Sequence, residues 1–264
     1  MTVCIAAICD NEGNRPKIVV SSDWLAEIGT LAGAEVQNKL YWLFDGAWCV
    51  LIAGTVPSAL SLLETIGRSI KAKKIRRGNI EDKLSKAVFK QRHKLVKRFV
   101  KKRHNVSLKH FRTHKSEFDK GQWAETQSGI EDIHLDCSIL VCTFFKGEPF
   151  IFQVNEDCSV TQEENFAAIG SGRDVAHAVL CYREQGDHLA LLETVYNVFE
   201  GTKFARKAKV PGVGKRHAFS VLYPRRKQRR LKRRGLNRLA KYFKKYGPQK
   251  ITRLKLPDGS WEQY

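Results

Sequence analysis

Apolar runs of two different periods alternate along this chain in an order that restricts its fold. Clustered short runs typical of strands come first, two segments with helical spacing follow, and the same order repeats before a final strand-like run. The predicted strands cover residues 2–8, 18–22, 40–43, 48–53, 138–145, 150–154, 166–169 and 218–223. The predicted helices begin near Pro57, after Asn79, and in the stretches 173–184 and 188–207. Because the strands are clustered, this order favours two sheets covered by helix pairs over a parallel βαβ sheet.

Two regions depart from this pattern. Residues 104–133 are polar and show no clear periodicity, and we predict a loop or an insertion there. After Pro224 the composition changes, since residues 225–245 contain 12 Lys or Arg and no acid. We therefore divide the chain into a domain of residues 1–223 and a basic C-terminal extension of residues 224–264, part of which has the spacing of an amphipathic helix.

The charge of the chain predicts a negatively charged partner. Lys and Arg number 47 against 27 Asp and Glu, which leaves a formal charge of +20, whereas 42% hydrophobic and 10% aromatic residues exclude a disordered or collagen-like chain. Nucleic acid, an acidic protein or an acidic neighbouring subunit would each supply the counter-charge that residues 225–245 require. No RNP, zinc-finger or homeodomain signature is present, so any such contact is expected to involve mainly phosphates and to weaken with salt.

The remaining composition indicates a cytoplasmic protein with no membrane contact. No run reaches the ~18 to 20 apolar residues of a membrane span, and residues 1–7 lack the features of a signal peptide. The seven Cys form no CxxC pair and lie mostly in apolar runs, which predicts buried, reduced thiols. The eight His are scattered, several among Lys and Arg, so we expect no metal site.

Thr2 is the first candidate for chemistry. Removal of Met1 would leave a residue that carries both a hydroxyl and a free α-amine, whose reference pKa of ~7.7 to 8 leaves roughly a tenth to a fifth of it neutral near pH 7 and able to take a proton. One residue would then be both nucleophile and base. The plain alternative is that Thr2 has no role of this kind, because many chains begin with Met-Thr.

Asp23 and Lys39 strengthen the hypothesis that Thr2 is a nucleophile. Asp23 ends a β-branched run, and Lys39 directly precedes the apolar and aromatic residues 40–43. A lysine near the Thr2 hydroxyl would lower the pKa of both the hydroxyl and the amine, and a carboxylate would hold that lysine charged and oriented. The alternative is that Asp23 and Lys39 are two unrelated surface residues.

These residues and three short motifs resemble those of a known family. Thr2 before a strand, VVSSD at 19–23, Lys39, IAGT at 52–55 and AIGSG at 168–172 together resemble the proteasome β-subunit group of the N-terminal nucleophile hydrolases. The closest resemblance is to bacterial proteasome-like peptidases, which expose the threonine by losing Met, and it covers about residues 2–223.

The resemblance implies a fold, an activity and partners. The fold would be an α+β, four-layer αββα sandwich. The activity would be that of a threonine-type peptidase acting on peptides or unfolded proteins, without a cofactor. It also implies self-assembly into a ring and leaves room for an ATP-dependent unfoldase as partner.

The resemblance also implies a role for each site residue. Thr2 would be the nucleophile and its own amine the base, while Asp23 and Lys39 would tune their reactivity. The backbone N–H of Gly54 would donate to the oxyanion, a contact worth ~10²–10³ in rate where it has been removed from other enzymes. Ser171 would hold the amine through a hydrogen bond.

One segment departs from the family pattern. The family carries a further acid and a Ser-Gly-Gly-like turn before its last strand, whereas residues 206–214 keep the glycines but have neither acid nor serine. Two alternatives therefore stay open. One is an impaired proteasome-like protein whose basic extension binds nucleic acid or an acidic partner, and the other is an amidase for a small amide.

Overall fold

A computed structural model describes residues 2–12, 15–23, 39–70, 77–208, 217–225, 227–246 and 261–263. Within these residues the strands form two antiparallel sheets. The six-stranded sheet has the order β11-β10-β9-β2-β1-β8, with β1 Cys4–Cys9, β2 Lys17–Asp23, β8 Phe166–Ile169, β9 His217–Tyr223, β10 Lys227–Leu231 and β11 Trp261–Gln263. The five-stranded sheet has the order β3-β4-β5-β6-β7, with β3 Leu40–Leu43, β4 Trp48–Gly54, β5 Cys137–Phe145, β6 Glu148–Val154 and β7 Val160–Glu163.

Most helices of the described residues lie in two groups along the chain, each between two strands. The first group lies between β4 and β5, the second between β8 and β9, and one helix follows β10. They are α1 Val56–Ser69, α2 Ile80–His104, α3 Leu108–Thr113, α4 Lys120–Glu131, α5 Arg173–Tyr182, α6 Leu191–Lys207 and α7 Arg233–Tyr246.

The central strands are apolar on both faces because each face packs against a different core. In β1, Cys4, Ala6 and Ile8 face a core shared with residues of β4, β5 and β6, so this core lies between the two sheets. Val3 and the alternate residues Ile5 and Ala7 pack instead with α5, α6 and α7. The outer face of the second sheet is covered in the same way by α1 and α2. The continuous apolar runs in the sequence are thus strands buried on both faces.

Of the two alternatives predicted for residues 104–133, the loop is wrong, whereas the insertion stays a prediction. Two helices, α3 and α4, occupy most of these residues, and Ser107 and Asp119 cap their N-termini by accepting backbone N–H bonds. Phe111 and Ile130 are buried against the end of α2, in a small core of their own. So few apolar residues in such short helices leave no visible periodicity, and the packing rather than the pattern determines the structure.

The segment after Pro224 continues the first sheet. Strand β10 pairs with β9 along residues 227–230, and α7 follows it. Leu231 and Leu239 are buried in the same core as Val3 and Phe219, so the apolar side of α7 completes the cover of this sheet. The amphipathic spacing noted in the sequence thus corresponds to a helix with one face packed on the domain.

Strand β7 was not predicted, because VTQE lies at the edge of its sheet and its side chains are exposed or half-buried. The cysteines agree with the prediction: all seven are described, none forms a disulfide, and five are buried. Burial raises the pKa of Cys9 and Cys137 to about 12, so these thiols stay protonated near neutral pH. No helix of the described residues is long and apolar enough to cross a membrane.

Candidate active site

Thr2 lies directly before β1, between the end of β2 and the turn from β8 to α5. Its carbonyl oxygen accepts the backbone N–H of Gly172 at 3.1 Å. The next carbonyl, that of Val3, accepts the N–H of Asp23 at 3.3 Å. Thr2 is only 1% exposed. Two neighbouring elements therefore fix the start of the described chain.

The structure brings Thr2, Asp23 and Lys39 into direct contact. Asp23 is the last residue of β2, and Lys39 comes immediately before β3. The Thr2 hydroxyl donates to the Asp23 carboxylate and accepts from the Lys39 ammonium. The Lys39 Nζ to Asp23 Oδ1 distance is 2.8 Å, and the two side chains are 5% and 0% exposed. The predicted pair of a lysine held by a carboxylate, beside this hydroxyl, is what the structure contains.

This arrangement can activate the hydroxyl oxygen. An ammonium group within hydrogen-bond distance stabilises negative charge as it develops on that oxygen, and burial strengthens the effect because little water screens it. Asp23 holds the ammonium in place, since its carboxylate contacts both the lysine and the hydroxyl. A buried ion pair of this kind contributes little to stability, so its geometry is better explained by the hydroxyl it contacts.

Ser171 lies on the opposite side of Thr2, in the turn between β8 and α5. The Thr2 backbone N–H donates to the Ser171 Oγ at 3.3 Å, and this Oγ is 3.4 Å from the Thr2 carbonyl oxygen. The nitrogen that Met1 removal would turn into a free amine therefore already contacts the serine that the resemblance implies as its partner.

Gly170 makes this approach of the turn to Thr2 sterically feasible. Its φ is +89°, and a Cβ at this position would collide with the carbonyl oxygen and the side chain of Thr2. We expect Gly170→Ala to destabilise the fold by about 2 kcal/mol or more and to displace Thr2, because both strain and overlap act there. Gly67→Ala, in the open part of α1, is the matched control and is expected to be neutral or slightly stabilising. Urea unfolding measures both, and equal midpoints for the two variants would contradict the steric argument.

Gly54 ends β4 and faces the same cleft as Thr2. It also has φ +89°, and a Cβ there would lie 2.5 Å from the carbonyl oxygen of Asp136. The positive φ and the close approach of Asp136 are enough to explain why position 54 is a glycine. A hydrogen bond from the Gly54 N–H to the oxyanion stays a prediction. The cleft has a volume of about 720 Å³, and Thr2, Gly54, Gly170 and Ser171 are among the residues that line it. All five predicted site residues thus lie in or directly beneath one cleft.

Two titratable groups beside the site had no signal in the sequence. His217 stands opposite Asp23 in the pairing of β2 with β9, and burial, together with Lys203 and Arg206, lowers its pKa to about 3. At neutral pH this histidine is therefore uncharged. Burial also raises the pKa of the Cys4 thiol, which donates to the carbonyl oxygen of Ile52 at 3.4 Å. This thiol stays protonated and is not a competing nucleophile.

The structure describes only the first part of the segment 206–214, which departs from the family pattern. Arg206 and Lys207 form the end of α6, and residues 209–214 lie outside the described residues.

Comparison with solved structures identifies the fold. An Anbu Gly-1 mutant from Hyphomicrobium sp. strain MC1 matches with a TM-score of 0.63 and 14% identity, over 98% of this chain and 100% of that one. Anbu, an ancestral β-subunit, from Yersinia bercovieri matches with a TM-score of 0.53 and 14% identity, over 84% and 81%. Eukaryotic HslV from Trypanosoma brucei matches with a TM-score of 0.52 and 16% identity, over 84% and 99%.

The fold is proteasome-like. At 14–16% identity these matches show the fold alone, and neither a family model nor a curated protein matches the sequence. The proteasome-like fold agrees with the coarse part of the resemblance noted in the sequence, namely two antiparallel sheets with helices. Activity has to be argued from the site itself.

Proposed function

We propose that this protein is a threonine-type peptidase of the N-terminal nucleophile kind, with Thr2 exposed by removal of Met1. The observation that carries the proposal is the contact of one hydroxyl, that of Thr2, with both Asp23 and Lys39 in a buried ion pair beneath a cleft. The proposal includes the four-layer αββα arrangement, which the three apolar cores between and outside the two sheets support.

The proposed reaction uses Thr2 twice. Its Oγ attacks the carbonyl carbon of a peptide bond while the α-amine takes the hydroxyl proton, and Lys39 stabilises the charge on Oγ. The N–H of Gly54 donates to the oxyanion. The proton then passes from the amine to the leaving nitrogen, the C–N bond breaks, and a Thr2 ester remains. Water activated by the same amine hydrolyses the ester and restores the hydroxyl.

Intact-mass analysis with a peptidyl β-lactone, which acylates a nucleophilic hydroxyl, tests this proposal directly. We expect the untreated protein to lack one methionine residue and the treated protein to gain the mass of one lactone, on the N-terminal tryptic peptide. Retained Met1, or a label elsewhere in the chain, would refute the proposal and favour the impaired proteasome-like protein. Turnover of small amides together with no turnover of peptides would favour the amidase.

The proposal extends to assembly. A ring of copies of this chain would enclose the Thr2 clefts, and an ATP-dependent unfoldase would supply unfolded substrate. The proteasome-like fold, shared with HslV and Anbu, supports this part of the proposal. Sedimentation of the full chain would measure the assembly, and a monomer at all concentrations would contradict the ring.

The exposed face of α7 supports a second property, binding of a polyanion. The side of the helix opposite the buried Leu239 and its N-terminal approach carry seven exposed cations: Lys232, Arg233, Arg234, Arg238, Lys241, Lys244 and Lys245. Because the helix is packed on the domain, these charges stand on a rigid surface. Fixed rows of Lys and Arg of this kind bind phosphates with release of counterions.

A charge-neutralising variant tests this property without exposing the core. We expect Arg234→Gln/Arg238→Gln/Lys241→Gln to weaken binding to a random-sequence DNA duplex at least about tenfold, and to reduce the salt dependence of the binding constant. The matched control is Lys97→Gln/Arg98→Gln/Lys102→Gln on the exposed face of α2, which removes the same charge elsewhere. Equal losses of DNA affinity in both variants would show that binding depends on the overall charge of the chain and not on the face of α7. Binding to polyglutamate but not to DNA would indicate an acidic protein partner.

A further inference from the structure

The cleft above Thr2 carries the opposite charge to the rest of the chain. Glu156, Asp157 and Asp174 line it together with one cation, Arg173, in a protein with 47 basic and 27 acidic residues. The Arg173 Nε donates to the Asp174 Oδ1 at 3.3 Å, so these two charges largely offset each other on the α5 side. On the opposite side no Lys or Arg of the described residues forms an ion pair with Glu156 or Asp157.

The hairpin between β6 and β7 holds Asp157 in a fixed, ionised state. Asn155 and Ser159 close the hairpin through a backbone hydrogen bond of 3.0 Å. The Asp157 Oδ1 accepts both the N–H and the hydroxyl of Ser159, at 2.9 and 2.7 Å. These bonds lower the pKa of Asp157, so its carboxylate stays charged even in mildly acidic solution.

Glu156 is tied to the strand end that carries Gly54. Its carbonyl oxygen accepts the N–H of Leu135 at 2.9 Å, and the carbonyl oxygen of the next residue, Asp136, accepts the N–H of Thr55 at 2.9 Å. A short chain of backbone bonds thus connects the acidic hairpin to the position proposed for the oxyanion contact. The backbone of the hairpin is thus held in place, and the Asp157 carboxylate that Ser159 binds can act on a substrate whose scissile bond lies at Thr2.

We propose that Glu156 and Asp157 make this cleft select substrates with a cationic side chain, that of Lys or Arg, next to the scissile amide. This inference rests on the proposed function and names the substrate class of the same cleft. Two carboxylates on one wall that form no ion pair with a Lys or Arg of the described residues attract a cation and repel an acidic side chain. Both side chains are exposed, and His134 also acts electrostatically on Asp157. The strong positive charge elsewhere on the chain favours no cationic substrate, so any such selection comes from these two residues.

The experiment compares peptidyl β-lactones that differ only in the side chain beside the reactive carbonyl: lysine, its neutral analogue norleucine, and glutamate. The second-order rate of Thr2 acylation is read from intact mass, which needs no complete turnover. We expect the lysine probe to react about tenfold faster than the norleucine probe, and the glutamate probe to react more slowly than both. The preference should shrink at 1 M salt, where the Debye length falls to about 3 Å.

Variants assign the preference to the two residues. Glu156→Gln/Asp157→Asn removes both charges and keeps the oxygen that Ser159 binds, and we expect its lysine-to-norleucine ratio to fall to about 1–2. The control Glu164→Gln removes one exposed carboxylate from the turn between β7 and β8, outside the cleft lining, and should keep the ratio of the parent protein.

The outcomes separate this inference from the proposed function. Acylation of Thr2 by all probes with no preference for lysine, or a preference that persists in the double variant, would overturn the inference and leave the peptidase proposal intact. No acylation of Thr2 by any probe would overturn both this inference and the proposed function. Acylation of another residue in place of Thr2 would do the same.

Discussion

Thr2→Ala is expected to abolish acylation by the lactone and any peptide hydrolysis, with a loss of at least about 10⁴-fold. The reason is that Thr2 supplies both the hydroxyl that contacts the Lys39 ammonium and, after removal of Met1, the amine proposed as the base. The fold should remain, because the Asp23–Lys39 ion pair, 2.8 Å long in the parent protein, does not need the hydroxyl, and the change in unfolding free energy should stay within about 2 kcal/mol. Intact mass and urea unfolding measure the two effects separately.

Thr2→Ser is the matched control for this prediction. Serine keeps the hydroxyl and the amine, and it is small enough for Met1 to be removed as it would be from Thr2 or Ala at this position. We expect acylation to persist within about 100-fold of the parent rate, since only a methyl group is lost. Normal activity of Thr2→Ala would place the nucleophile elsewhere. Loss of activity in both variants would mean that the loss in Thr2→Ala cannot be attributed to its missing hydroxyl.

The contact between Thr2 and Asp23 could be predicted because the pairing of two strands fixes it, whereas strand pairing does not fix the position of Lys39 beside them. Asp23 ends a strand that pairs with the strand starting after Thr2, with Cys4 opposite Ser22, so the two residues meet at the same end of the sheet. Lys39 precedes a strand of the facing sheet, and the resemblance of three short motifs supplied its pairing with Asp23. What the sequence shows here is spacing along paired strands, and spacing translates directly into position.

The features that were not predicted depend on packing between segments distant in sequence. The helices α3 and α4 form because Phe111 and Ile130 find a core at the end of α2, and nothing within residues 104–133 records that core. The acidic hairpin lies at the cleft because backbone bonds of Glu156 and Asp136 connect it to β4. His217 stands beside Asp23 only through the pairing of β9 with β2. Long-range contacts of this kind leave no periodic trace in a single sequence.

Lys39→Met is expected to reduce acylation of Thr2 by about 10²–10³-fold. The methionine keeps the length and the apolar stem of the side chain but removes the only charge that the structure places as a donor to the Thr2 hydroxyl among the described residues. It should also destabilise the fold by about 3–5 kcal/mol, because the Asp23 carboxylate, 0% exposed, loses its ionic partner. The acylation rate and the urea midpoint give the two quantities.

A double variant separates the two effects of this lysine. Asp23→Asn/Lys39→Met has no buried charge at this place, so we expect it to regain at least half of the lost stability. Its acylation rate should stay as low as that of Lys39→Met, because neither change restores an ammonium beside the hydroxyl. If the double variant regained the activity together with the stability, the lysine would serve only to neutralise Asp23. If Lys39→Met were as active as the parent protein, the ion pair would have no part in activating Thr2.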